Sequence, residues 1–108
     1  MIELINSKKN EVEVICKNHF VKSLYVFGSV LTDKFKHTSD IDFLYKIDTD
    51  NFEGWENGKF DYLDNLISLE KNLTDVFNKK IDLVPDTFMP NKYFRDSIDS
   101  TKQLLYGN

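Results

Sequence analysis

Apolar residues recur along this chain with two different periods, and each period marks an element. Between residues 6 and 19, Val12, Ile15, Cys16 and His19 fall at i, i+3, i+4 and i+7, one face of a helix that Asn6 or Ser7 is placed to cap. The run KSLYVF over 22–27, rich in aromatic and branched side chains, predicts a first strand. A short helix is expected from Val30 to Lys34, then a loop over 35–39 and a second strand over 40–47. Residues 48–60 are polar with two glycines and read as a loop, long for a compact domain. Trp55 in that loop has two readings, a platform for a base or partner and a ring tucked back onto the fold. The longest helix is predicted over 61–78, where Leu63, Leu66, Ile67, Leu69, Leu73, Val76 and Phe77 make a wide apolar face. Lys79 and Lys80 suit its C-terminal end. IDLV over 81–84 is a short, nearly all-apolar strand, as a buried position requires. Residues 91–100 read as a helix, and KQLLYG over 102–107 as either the end of that helix or a final short strand, the strand being favoured. No repeat or low-complexity tract is visible.

Candidate chemistry sits at the ends of the predicted strands. In SDIDFLY, alternation puts Asp40 and Asp42 on one face and Ile41 and Phe43 on the other. Gly28-Ser29 ends the first strand, where glycine lets backbone amides approach a phosphate and the serine hydroxyl adds a donor. Asp82 lies at the start of the third strand. An isolated Asp-x-Asp on a strand is usually a solvated edge, and a Gly-Ser after a strand is usually a turn. Together these segments read as a phosphate cradle beside three carboxylates able to hold magnesium, a hard cation that takes a few carboxylates plus substrate phosphate oxygens. For them to converge, the first strand must run antiparallel to the second and third. Those two are then parallel and joined by the long helix as a right-handed crossover. The fold class that follows is α+β, a short mixed sheet flanked by helices.

The stretches FGSVLTDKFKHTSDIDFLY and KKIDLV, with the C-terminal NKYFRDSIDSTKQLLYG, resemble the minimal nucleotidyltransferases of the DNA polymerase beta superfamily. That family's motif is Gly-Ser, ten residues, Asp-x-Asp, then a third Asp on a later strand. The resemblance implies one nucleotidyltransferase domain over 1–108 that uses ATP and two magnesium ions. By the same resemblance, Asp40 and Asp42 would be ligands shared by both metals. Asp82 would bind the metal nearer the acceptor and take its proton, while Gly28 and Ser29 would hold the β and γ phosphates. Members commonly read Arg-Ala-Arg-Gly after Gly-Ser, whereas this chain has Val30-Leu31-Thr32-Asp33, so any task of those arginines is either lost here or passed to Lys34 and Lys36. The resemblance is closest to the stand-alone members encoded beside HEPN-domain ribonuclease toxins, antitoxins that transfer AMP to a toxin tyrosine. Two alternatives stay open: a module that neutralises its partner by occlusion, and transfer onto a small molecule such as an aminoglycoside.

Composition narrows the picture. A 108-residue chain with 41% apolar residues and 15 aromatics makes one domain with a single modest, ring-rich core. Basic residues number 14 against 18 acidic, a net charge of −4, which disfavours general binding to nucleic acid. Arg95 is the one arginine, so lysines must supply most of any phosphate neutralisation. The single cysteine, Cys16, excludes an intramolecular disulfide and a multi-cysteine zinc site, and its place in a helical pattern predicts a buried small hydrophobe. No hydrophobic run of signal or membrane-spanning length begins the chain, which leads to the expectation of a cytoplasmic protein, alone or in a homo- or hetero-oligomer. His19 is expected to end a helix, and His37 lies in the loop before the aspartate pair, within reach of a substrate.

Overall fold

A computed structural model describes residues 2–32, 36, 38–50, 62–87 and 91–107. The readings placed on Asp33, Lys34, His37 and Trp55 lie outside the described residues. Element order is α1 (Ile2–Ser7), α2 (Lys9–Asn18), β1 (Val21–Phe27), a 3-10 turn (Gly28–Leu31), β2 (Ile41–Ile47), α3 (Tyr62–Phe77), β3 (Ile81–Pro85), α4 (Lys92–Thr101) and β4 (Gln103–Gly107). The sheet runs β3-β2-β1-β4. Strand β1 is antiparallel to β2 and β4, while β2 and β3 are parallel and linked through α3. This is the strand polarity that convergence of the carboxylates demands.

Side-chain alternation along β2 sorts the core into two layers. Ile41, Phe43, Tyr45 and Ile47 join Leu24, Val26 and Ile81 in the main core, closed by Val12 and Cys16 of α2 and Leu69, Leu73 and Phe77 of α3. Phe43 is fully buried, its ring centroid 5.8 Å from that of Phe77. On the opposite face a smaller layer forms from Phe27, Leu44 and Ile98, with Tyr25, Val84 and Phe94 against it. Helix α4 covers that layer and touches the 3-10 turn. Asn91 starts α4 by accepting from the Phe94 amide at 2.8 Å.

The N-terminal helix differs from its expected form. Two helices meet at Lys8, and Ser7 does not cap the second. Its hydroxyl donates to the Leu4 carbonyl at 2.8 Å within α1. Helix begins earlier because the buried stripe of Val12 and Cys16 extends back to fully buried Ile5. His19 does end α2. Its Nδ1 lies 2.7 Å from the Ile15 carbonyl and its Nε2 2.9 Å from Ser68 Oγ, and Asn65 donates to its carbonyl at 2.8 Å, tying α2 to α3. Burial pushes the Cys16 thiol up to about 12, so this cysteine is an inert core residue. Among the described residues no helix is long and apolar enough to cross a membrane.

Candidate active site

The strand register brings the predicted residues to one end of the sheet. Phe27 pairs with Asp42 across β1 and β2, and Asp42 pairs with Asp82 across β2 and β3. Residues in register point to the same face, so Asp42 and Asp82 stand side by side on the face that α4 covers. Fully buried Ile41 and Phe43 anchor the other face and hold Asp42 in place. Asp40 precedes the strand, where Lys80 approaches it at 3.9 Å. The register of Ile41 with Ile81, together with the Ile41 amide donating to the Lys80 carbonyl at 3.0 Å, accounts for that approach. Lys80 stands out only once this register is known, because in sequence it reads simply as a helix-terminal cation.

Gly28 closes the site from β1. Its φ of +83° is one that side chains disfavour, and a Cβ there would stand 2.5 Å from Asp42 Oδ2. Backbone and carboxylate can be this close only because residue 28 is glycine. The turn that follows, Gly28–Leu31, is a single 3-10 turn, so Val30 and Leu31 do not begin the helix expected there. The Ser29 carbonyl accepts from both the Thr32 amide, at 2.9 Å, and the Thr32 hydroxyl, at 2.8 Å, and Thr32 itself is extended. Val30 is fully buried in the main core and Leu31 packs against it, so these two positions serve packing. Gly28→Ala is expected to lower stability by about 1–2 kcal/mol through backbone strain and to displace the Asp42 carboxylate. A melting curve and a crystal structure of the variant check this, and an unchanged Asp42 position would contradict it.

Electrostatics single out Asp42. Burial pushes its carboxyl up to about 6, and the charges of Asp82 and then Asp40 add to the shift. Among the described residues neither Asp42 nor Asp82 has a hydrogen-bond or ion-pair partner. Nor does any group of three His, Cys, Asp or Glu side chains among them stand ready to enclose a metal ion. Asp82 and Asp40 are thus close enough to raise the cost of ionising Asp42 without the three forming a finished cage. That donor set suits a hard cation, which would relieve the repulsion and fill its remaining positions with substrate oxygens and water.

Residues 10–108 match the family model described as polymerase beta, nucleotidyltransferase. Two proteins of Methanocaldococcus jannaschii are similar in sequence. "Putative protein adenylyltransferase MJ1217" is 33% identical over 94 residues, 87% of this chain and 84% of that one. "Putative protein adenylyltransferase MJ0126" is 32% identical over 104 residues, 96% and 91% of the two chains. Among solved structures, one described as a "putative minimal nucleotidyltransferase" superposes with a TM-score of 0.69 at 19% identity, covering 94% of this chain and 92% of that one. A toxin–antitoxin crystal structure with AMP-PNP gives a TM-score of 0.61 at 19% identity, covering 93% and 73%. A tri-AMPylated Shewanella oneidensis HEPN toxin in complex with an MNT antitoxin gives 0.53 at 18%, covering 95% and 72%. With the Gly-Ser turn and the paired aspartates at one sheet end, the chain belongs to the polymerase beta family of nucleotidyltransferases.

Proposed function

We propose that this protein transfers AMP from ATP, with magnesium, to a hydroxyl of a partner protein, and that the partner is an HEPN-domain toxin presenting a tyrosine. The observation that carries the reading is the register of Asp42 with Asp82 beside Gly28. Two acidic groups with no hydrogen-bond or ion-pair partner among the described residues share one sheet face, next to a turn where the backbone comes unusually close. The adenylyltransferase relatives and the AMPylated HEPN toxin bound to its antitoxin support the direction of transfer and the kind of acceptor.

Each residue then has a task. The Gly28 backbone and the Ser29 hydroxyl hold the β and γ phosphates of ATP. Asp40, Asp42 and Asp82 are the residues that would hold two magnesium ions, which supply Lewis-acid stabilisation of charge on the phosphates and the attacking oxygen. The acceptor oxygen attacks the α phosphorus as the bond from that phosphorus to the bridging oxygen breaks. Pyrophosphate leaves, and the hydroxyl proton passes to the Asp82 carboxylate. Asp82 suits that role because it is exposed on β3, an edge strand among the described residues. Lys80, beside Asp40, adds positive charge at the mouth of the site.

A second reading, neutralisation by occlusion with weak transfer, is favoured by the burial of Val30 where relatives in this family commonly carry arginine. One experiment separates the two. The purified protein is incubated with ATP, magnesium and its cognate HEPN protein, and the partner's mass is measured. AMP adducts on the partner, lost in Asp40→Asn and Asp82→Asn, are expected. Variants that form no adduct and still neutralise the partner fully would make occlusion the function.

A further inference from the structure

The sheet face that carries Asp42 and Asp82 holds a second polar site at its other end. Three rows cross this face. The first holds Phe27, Asp42 and Asp82, and the second holds Tyr25, Leu44 and Val84 under α4. The third begins with Ser23 opposite Lys46. Four residues of strand separate Asp42 from Lys46, about 13 Å at ~3.3 Å per residue. Helix α4 packs on the middle row and on Phe27 of the first.

At the far end is a cavity of about 170 Å³ lined by Lys22, Ser23, Tyr25, Lys46, Arg95 and Lys102. The chain's only arginine is here with three lysines, in a protein whose overall charge is −4. Two acids, Asp86 and Asp99, share the cavity, which leaves it with two positive charges in excess. Asp99 is already engaged with Arg95 Nε at 3.4 Å and Lys102 Nζ at 2.8 Å. Lys102 also lies over the Tyr25 ring, 4.4 Å from its centroid, so its ammonium is held against the cavity wall. The second observation is at the floor. Ser23 is only 6% exposed, yet among the described residues its hydroxyl has no hydrogen-bond partner. The residue is buried while its hydroxyl reaches the cavity, so beside the converging cations it is a donor free to meet a ligand oxygen.

We infer that this cavity is a phosphate site, distinct from the nucleotide cradle at Gly28-Ser29. A phosphate group carries about −1.5 to −2 near neutral pH and offers three acceptor oxygens. That charge matches the local excess, and the oxygens suit the Arg95 fork, the Lys46 ammonium and the Ser23 hydroxyl. The small, concave shape selects a single phosphate group, as in free phosphate or a nucleoside monophosphate. A polyanion is disfavoured because the rest of the surface is acidic. The site does not rest on the transfer reaction, since none of its residues belongs to the carboxylate end.

The test is calorimetric titration of the full chain with inorganic phosphate, at constant ionic strength in chloride and with a chelator present. Saturable binding is expected. Lys46→Gln and Arg95→Gln should each weaken it at least tenfold, Ser23→Ala should weaken it with the fold intact by circular dichroism, and Asp42→Asn should leave it unchanged. A parallel titration with AMP separates the sources. Binding that the same variants weaken assigns a nucleoside monophosphate, and binding of phosphate alone assigns the free anion. The inference is overturned by absence of saturable phosphate binding, by equal binding in wild type and both cation variants, or by loss in Asp42→Asn with retention in Lys46→Gln.

Discussion

Asp42→Asn is expected to make the metal-free protein more stable at pH 7.5 while reducing AMP transfer by at least about 100-fold. The two effects have one cause. The Asp42 carboxyl is pushed up to about 6 by burial and then by the charges of Asp82 and Asp40, so the native state at neutral pH holds a charge it disfavours. A shift from 3.8 to about 6 corresponds to roughly 3 kcal/mol if nothing screens it, but Asp42 is only half-buried and water screens much of that. About 1 kcal/mol is the expected gain for the neutral isostere, a melting shift of roughly 4–8 °C. The sign follows from linkage. The native carboxyl binds its proton more tightly than the unfolded one, so its favourable contribution is complete below about pH 4 and is lost as pH rises through about 6. The melting curves of wild type and variant should therefore coincide at about pH 4 and separate above about pH 6. Equal melting temperatures at pH 7.5 would show that the native Asp42 carboxylate is not under strain.

Much of this site is legible in the sequence because it depends on period-2 alternation. Ile41 and Phe43 are apolar and Asp40 and Asp42 are not, which assigns faces without knowledge of the neighbours. The strand directions follow from requiring Gly28, Asp42 and Asp82 to meet, and the register bears that out. The N-terminal helices are less legible. Ser7 and Asn6 look like caps, whereas burial of Ile5 carries helix past them and Ser7 turns its hydroxyl back to Leu4. The turn after Gly28 reads as the start of a helix because nothing local reveals that Thr32 will close it on Ser29 with both amide and hydroxyl. The phosphate cavity is illegible in principle. Lys22, Lys46, Arg95 and Lys102 lie on separate stretches of chain, and only packing of α4 across the sheet brings them around Ser23.

Magnesium is expected to stabilise the wild-type protein, and the size of the effect should depend on pH through Asp42. If the dissociation constant is on the order of 1 mM, ~10 mM magnesium adds about 1.4 kcal/mol at pH 7.5, a melting shift of roughly 5–10 °C. At pH 5 a carboxyl raised to about 6 is mostly protonated, and protons compete with the cation for it. Affinity then falls about tenfold, and the same magnesium concentration adds only about 0.4 kcal/mol. The loss of response between pH 7.5 and pH 5 distinguishes Asp42 from exposed carboxylates with the usual pKa near 4, which stay ionised across that range. Asp42→Asn should show little magnesium response at either pH, while Lys46→Gln, at the far end of the same sheet face, should respond like wild type. Melts of wild type that are identical in magnesium and in chelator at pH 7.5 would remove the metal from the proposed reaction. A response that persists undiminished at pH 5 would place the cation on carboxylates other than Asp42.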